Sequence, residues 1–449
     1  MSAREYNFDG LVGPTHNFAG LSLGNVASEA HKGEFSNPRE AALQGLEKMN
    51  RLIRLGLKQG FLPPHPRPFT PTLKAAGFGD RFETALPAAA KAAPGLLASA
   101  WSASPMWTAN AATVSPSCDT VDGKVHLTAA NLSTMLHRSQ EGDQTALALS
   151  KIFAEPETFV VHGALPHQAA FSDEGAANHT RLAPAYGEEG VHVFVYGREA
   201  DEAFAGQYPA RQSKLASAAI ARVHGLKPER CVFLRQSQEA IDAGAFHNDV
   251  VCVGSLDTLF FHEKAFEGGP DAAMDAIKRA AEGLFEPQFV VVKDEDVPLA
   301  DAIGSYLFNS QLLQPEPDAR LTLLGPGEID EIPSTRDYAQ TLPTANGPIG
   351  GVMTMDLRQS MKNGGGPACL RLRIELTEEE ASAVRPGFFL TEERVTGLSD
   401  FVRSTYRDRV TFDDLRDPDF AQECYEALDK LTQIAHLGSD FYPFQSAGA

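Results

Sequence analysis

Short apolar runs alternate with helix-like stretches across most of the chain, with Gly/Pro turns between them and no low-complexity linker, and this alternation most limits the possible folds. Strand-like runs are read at Phe159 to Val161, His192 to Tyr196, Val232 to Leu234, Val250 to Val253, Phe289 to Val292, Leu321 to Leu324 and Leu370 to Leu376. Helices are expected over Gln212 to His224 and Asp271 to Phe285, after a capping box of Thr377 and Glu380, and over Pro418 to Ala435 with Asp417 as N-cap. Another should start near Pro38, carry Leu43, Leu46, Met49, Ile53 and Leu57 at helical spacing, and end near Gly60; PPHPRP then makes a stiff connection. The pattern is α/β. Val232 to Leu234 and Val250 to Val253 read as neighbours without a helix between them, so a doubly wound sheet is not required. Asn-containing turns recur beside apolar runs in TAANLSTML, AFHNDVVCV and YLFNSQLL, which permits a fold of similar ββα-type modules. The 449 residues allow either two or three domains or one large symmetric one.

Charge and cysteine usage narrow the function classes. Thirty-nine basic against 59 acidic residues give a net charge of -20 without any basic block, which disfavours nucleic acid or an anionic membrane as partner. No window approaches about 18 uninterrupted apolar residues, and MSAREYNFDG lacks the regions of a signal peptide. The cysteines Cys118, Cys231, Cys252, Cys369 and Cys424 are odd in number, dispersed and without a CxxC pair, so reduced thiols in the cytoplasm are expected. His162 and His167 stand five apart without HExxH, and no metal is expected. GLVGPTHNFAGLSLGN reads as an ordered loop that could cover a ligand. It matches neither GxGxxG nor a P-loop, so no nucleotide cofactor is expected.

The chemistry-bearing stretch is SMKNGGGPACLRLRIEL. Cys369 stands between a glycine run, where a flat ligand could approach the sulfur, and a strand in which Leu370, Leu372, Ile374 and Leu376 alternate with Arg371, Arg373 and Glu375. A cysteine nucleophile needs a base or a cationic neighbour. His247 in AFHNDVVCV is a candidate, with Asp249 two residues on; on an extended segment both would face one cavity. In FSDEGAANHTRL, Glu174 could accept a histidine ring N–H and fix its tautomer. His179 and His16 compete as bases, and spacing alone does not choose among them. Each candidate also has a structural reading: a buried cysteine beside a turn, a hydrogen-bonded turn histidine, an acidic helix start.

Taken together, NFDGLVGPTHNFAGLSLGN, FSDEGAANHTRL, FHNDVV and MKNGGGPACLRLR resemble the motifs of the succinylarginine dihydrolases, a family of the pentein superfamily of guanidine-modifying enzymes. The resemblance runs nearly the full length. It implies one catalytic domain over residues 1–449, an α/β propeller of five ββαβ-like modules about a pseudo-fivefold axis, and a homodimer. By the same resemblance Cys369 is the nucleophile, His247 the general acid/base and Glu174 the residue that positions it. The substrate loop falls on Ala19, Gly20, Leu21, Ser22, Leu23, Gly24, Asn25, Val26, Ala27 and Ser28. Further substrate contacts fall on Asn110, His137, Arg138, Arg211, Asp249 and Asn363.

The resemblance further implies attack of Cys369 on the guanidinium carbon of N2-succinyl-L-arginine, loss of ammonia, hydrolysis of the covalent adduct, and a second round that releases ammonia and carbon dioxide. Asp249 suits the guanidinium, and Arg138 and Arg211 suit carboxylates. Deiminases of the superfamily that stop at the ureido stage generally place two aspartates on the guanidinium, whereas the first of those positions is Asn110 here. The rival expectations are another pentein enzyme of the arginine deiminase type and a pocket protein that binds acylated arginine without turning it over.

Overall fold

The computed structural model describes residues 3–203 and 206–446, and its strands fall into five sheets of three. They are β1 (Ala3–Gly10), β2 (Lys58–Leu62), β3 (Ala112–Ser115), β4 (Val125–Ala129), β5 (Phe159–His162), β6 (His179–Leu182), β7 (Val191–Tyr196), β8 (Cys231–Arg235), β9 (Cys252–Ser255), β10 (Thr258–His262), β11 (Gln288–Val292), β12 (Gln311–Leu313), β13 (Leu321–Pro326), β14 (Ile349–Met355) and β15 (Arg371–Thr377). The sheets are β3-β4-β5, β6-β7-β8, β9-β10-β11, β12-β13-β14 and β15-β1-β2. Within each, the first two strands are antiparallel and the last two parallel. A parallel neighbour needs a crossover, and each module supplies it with a helix, such as Lys214–Val223 between β7 and β8 or Gly269–Ala281 between β10 and β11. This is the five-module pentein propeller.

The fifth module closes the ring. β15 near the C-terminus pairs with β1 at the N-terminus from Ala3↔Thr377 to Asp9↔Arg371, and β1 then pairs in parallel with β2. Alternate β1 residues Tyr6 and Phe8 join the main core, whereas Glu5, Asn7 and Asp9 are buried polar residues. Glu5 and Asn7 accept from Arg371, and Asp9 pairs with Lys48, which reaches back from the helix Pro38–Arg54. The capping box at Thr377 and Glu380 and the Asp417 cap form as the residues dictate. Outside the ring, Thr70–Ala75, Phe82–Ala92 and Pro94–Trp101 pack on the C-terminal helices, and Trp101 stacks on Phe420 at 4.9 Å.

Two sequence expectations change. The helix that starts at Pro38 stops at Arg54, because Gly56 takes φ 82 and breaks the periodicity; Gly60 lies inside β2. Val232 to Leu234 and Val250 to Val253 lie in different modules, since Asn248–Val250 forms a 3-10 turn that opens the third sheet.

Candidate active site

Three modules open with a 3-10 turn just before the first strand: Thr108–Asn110, Gly175–Asn178 and Asn248–Val250. In the other two, Asn309 precedes β12 and Cys369 precedes β15. The candidate residues therefore come from equivalent corners of the modules, far apart in sequence. Of the recurrent asparagine turns, Asn248 and Asn309 occupy such corners, whereas Asn131 follows β4; the first module's corner asparagine is Asn110.

Two buried pairs make up the centre. His247 Nε2 lies 2.6 Å from Glu174 Oε2, with both side chains almost fully buried. Cys369 Sγ lies 3.5 Å from Asp249 Oδ2. Because the chain turns at Asn248, His247 and Asp249 do not share one face of an extended strand; each meets a different partner. Burial pushes His247 down to about 4 against the pull of Glu174, so the imidazole is neutral. Burial raises Glu174, but His247, Arg211 and Arg138 more than offset it and the group stays a carboxylate. Burial lifts Asp249 to about 7, and burial together with Asp249 lifts Cys369 well above the usual thiol range. In the free protein the sulfur is a thiol.

Arg138 is committed to the protein. Its Nε and Nη2 donate to Glu141 at 3.2 and 3.4 Å, its Nη1 donates to Asn110 Oδ1 at 3.1 Å, and it lies over Trp107. Asn110 in turn donates to the Glu174 carbonyl at 2.7 Å. Arg211 is less engaged. It stacks on Phe246 and donates through Nη2 to the Leu23 carbonyl at 2.8 Å, while its Nε is buried with no protein partner. His247 Nδ1 and Asp249 Oδ1 are likewise buried without protein partners.

The loop from Ala19 to Ser28 lies over these residues, with Ser22, Gly24, Asn25 and Ser28 turned inward and Leu23 and Val26 exposed. Ser22 Oγ is 3.3 Å from His137 Nε2, Asn25 donates to the Asn363 carbonyl at 3.3 Å, and Ser28 donates to Asn363 Oδ1 at 3.2 Å. With the Leu23 to Arg211 bond, three of the residues expected to touch substrate hold the loop. The glycine run admits close approach of other parts of the chain. A Cβ on Gly364, at φ 92, would meet the Asn25 side chain at 2.0 Å, and one on Gly366 would meet the Asn309 carbonyl at 2.6 Å. The close approaches are to protein groups.

The competing bases have other partners. His179 bonds to His192, which bonds to Asp119; His16 packs edge-on against Phe18. His162 pairs with His126, and among the described residues no three His, Cys, Asp or Glu side chains cluster as metal ligands would. Sequence reasoning missed Asn309, whose Nδ2 lies 3.1 Å from Cys369 Sγ. Its turn is visible as YLFNSQLL, yet nothing in that segment points to a sulfur 60 positions away.

A sequence model of the Succinylarginine dihydrolase family matches residues 2–445. The chain belongs to the succinylarginine dihydrolase family. Relatives in that family include N-succinylarginine dihydrolase 2 of Caulobacter vibrioides, 54% identical over 445 residues, with 99% of each chain covered. The N-succinylarginine dihydrolase of Aeromonas hydrophila is 49% identical over 448 residues, covering 99% of this chain and all of the relative. Among solved structures, the N-terminal domain of ArgZ, an arginine dihydrolase from Cyanobacteria, superposes with a TM-score of 0.50 at 15% identity over 83% of this chain and 97% of that one. AgrE in complex with ornithine and NAD+ gives 0.51 at 14% identity, over 84% of this chain and 40% of that one. At such identities the likeness is one of fold, and it agrees with the five three-stranded sheets.

Proposed function

We propose that the chain is a hydrolase of C–N bonds in linear amidines that converts N2-succinyl-L-arginine and two waters into N2-succinyl-L-ornithine, two ammonia and carbon dioxide in arginine catabolism. The observation that carries this reading, within a family so named, is that Asp249 Oδ1, His247 Nδ1 and Arg211 Nε are among the buried atoms without protein partners. An anionic acceptor, a base and a guanidinium donor complement a molecule that carries both a guanidinium and carboxylates. Arg138, already forked onto Glu141, helps to shape the pocket, and Arg211 offers the donors a carboxylate needs. His137, Asn363 and the loop Ala19 to Ser28 complete the substrate contacts.

The guanidinium pairs with Asp249, and its charge favours the thiolate. The Cys369 proton passes to His247 Nδ1, the sulfur attacks the guanidinium carbon, and the imidazolium returns the proton to the leaving nitrogen as ammonia departs. Neutral His247 then takes a proton from water, which attacks the covalent adduct and expels the thiolate, leaving a ureido group. A second cycle releases the second ammonia and a carbamic acid, which falls apart into the amine and carbon dioxide. No step calls for a cofactor.

We also propose that residues 1–449 form a single catalytic domain, supported by the pairing of β1 with β15, and that the chain works in the cytoplasm as a homodimer. Free thiols at all five cysteines suit a reducing compartment, and no helix among the described residues is long and apolar enough to cross a membrane. Size-exclusion chromatography with light scattering tests the dimer.

The deciding assay supplies succinylarginine and free arginine side by side and counts ammonia. Two ammonia per succinylornithine supports the reading. One ammonia from free arginine supports the deiminase alternative, and tight binding without turnover supports a binding protein. Cys369→Ser should bind substrate and lose turnover, and unchanged activity in that variant refutes the covalent route.

A further inference from the structure

The uncharged side chain that touches the reactive sulfur is Asn309, in the corner of the fourth module, and it also hydrogen-bonds the Asp249 carboxylate. Its amide orientation is set by the backbone. Oδ1 accepts from the N–H groups of Gly366 at 2.9 Å and Cys369 at 3.4 Å, so the NH2 group must face Sγ, which it meets at 3.1 Å. The Asn309 carbonyl accepts from the Ala368 N–H at 3.3 Å, and Gln311 donates to the Pro367 carbonyl at 2.7 Å. Asn309 and Gln311 are fully buried. Phe308 beside them packs on Phe260 with ring centroids 4.7 Å apart. The donor is therefore fixed, neutral and independent of anything bound.

That independence matters because the two hydrolytic rounds differ in charge. In the first, the substrate guanidinium brings a positive charge beside Asp249 and the sulfur and offsets the carboxylate 3.5 Å from that sulfur. In the second, the bound ureido group is neutral, so the Asp249 charge opposes a thiolate with no cation to compensate.

We propose, resting on the function proposed above, that Asn309 is a positioning residue for the second hydrolysis, holding the Cys369 sulfur as a thiolate when the bound group is uncharged. In that round the S–C bond forms as the C=O pair moves to oxygen. The C–N bond breaks as imidazolium His247 protonates the leaving nitrogen, and ammonia departs to leave an S-carbamoyl group. Water then gives a proton to His247 and hydroxide to that carbon, which restores the thiolate.

The test uses Asn309→Asp, which keeps the acceptor for the Gly366 and Cys369 N–H groups and removes the donor to sulfur, with Asn309→Ser as a second variant should the first fail to fold. Substrate consumption and ammonia are followed with succinylarginine, and the ureido compound is also supplied directly. Separately, the Cys369 thiol of the free protein is titrated by the pH dependence of its alkylation by iodoacetamide. A hydrogen bond to an anion corresponds to roughly 10–100-fold. The second round should slow by that factor more than the first, the ammonia ratio should fall from two toward one as the ureido compound accumulates, and the thiol should titrate at higher pH. Equal slowing of both rounds, which a merely structural role would give, overturns the inference, as does an unmoved titration. Wild-type protein that releases no ammonia from succinylarginine overturns the proposed function itself.

Discussion

His247 Nε2 sits 2.6 Å from the Glu174 carboxylate, and its other ring nitrogen is buried with no protein partner. Since a carboxylate accepts only, Nε2 carries the proton and Nδ1 presents the lone pair, so one contact sets both the tautomer and the basic face of the ring. Glu174 is itself held by its own backbone: its N–H donates to Gln212 Oε1 at 2.7 Å, and its carbonyl accepts from Asn110. These bonds do not involve the carboxylate.

Glu174→Gln should therefore leave the fold intact and remove the anion that stabilises the imidazolium. We expect kcat for succinylarginine to fall by roughly 10²–10⁴-fold with KM little changed. Steady-state kinetics beside a thermal melt check this; a kcat within a few-fold of wild type would show that Glu174 does not serve His247.

Asp249 gives a pH prediction of definite sign. Its carboxyl is raised from 3.8 to about 7, chiefly by burial. A raised folded value means that stability is fully present below about pH 4, falls as pH rises because the unfolded chain ionises first, and is lost once pH passes about 7. The difference corresponds to at most about 4 kcal/mol. Asp249→Asn should thus match wild type in Tm near pH 4 and exceed it near pH 8, while losing turnover. Melting curves across that range measure it, and a constant Tm difference would contradict it.

The sequence shows the α/β class but not the fivefold symmetry, because the modules share geometry and almost no residues. Strand β1 is an example: Glu5, Asn7 and Asp9 are buried against Arg371 and Lys48, so a rule that polar positions face solvent passes over it. For the helix from Pro38, Leu57 keeps the apolar spacing beyond the true end, and the stop signal is Gly56. Likewise the partnership of His247 with Glu174 spans 73 positions, and only the family resemblance could join them before the fold did.

The loop over the site depends on Asn25 twice. Its Oδ1 caps the helix Val26–Ala30 by accepting from the Ser28 N–H at 3.0 Å, and its Nδ2 donates to the Asn363 carbonyl. Asn25→Ala loses both, at a local cost of about 1 kcal/mol for the cap alone. KM for succinylarginine should rise about five- to tenfold, with a smaller change in kcat, and amide hydrogen exchange should quicken over residues 22–30. Unchanged exchange there would mean that other bonds hold the loop.

Asn110 tests why the reaction runs on to a second ammonia. Its carbonyl oxygen takes a hydrogen bond from Arg138 at 3.1 Å and its NH2 donates to the Glu174 carbonyl at 2.7 Å, so the neutral amide links a cation to the segment that carries Glu174. Asn110→Asp adds a negative charge beside the reacting group and faces a carboxylate oxygen onto a carbonyl. The charge should favour the cationic guanidinium over the neutral ureido group. Retention of the ureido intermediate should weaken, and the ammonia yield should fall from two toward one per succinylarginine, with succinylcitrulline released. The lost bond to the Glu174 carbonyl lowers Tm as well, so the yield is read at a temperature where a melt shows the variant folded. Two ammonia per substrate in that folded variant would mean that the second round does not depend on the neutrality of this corner.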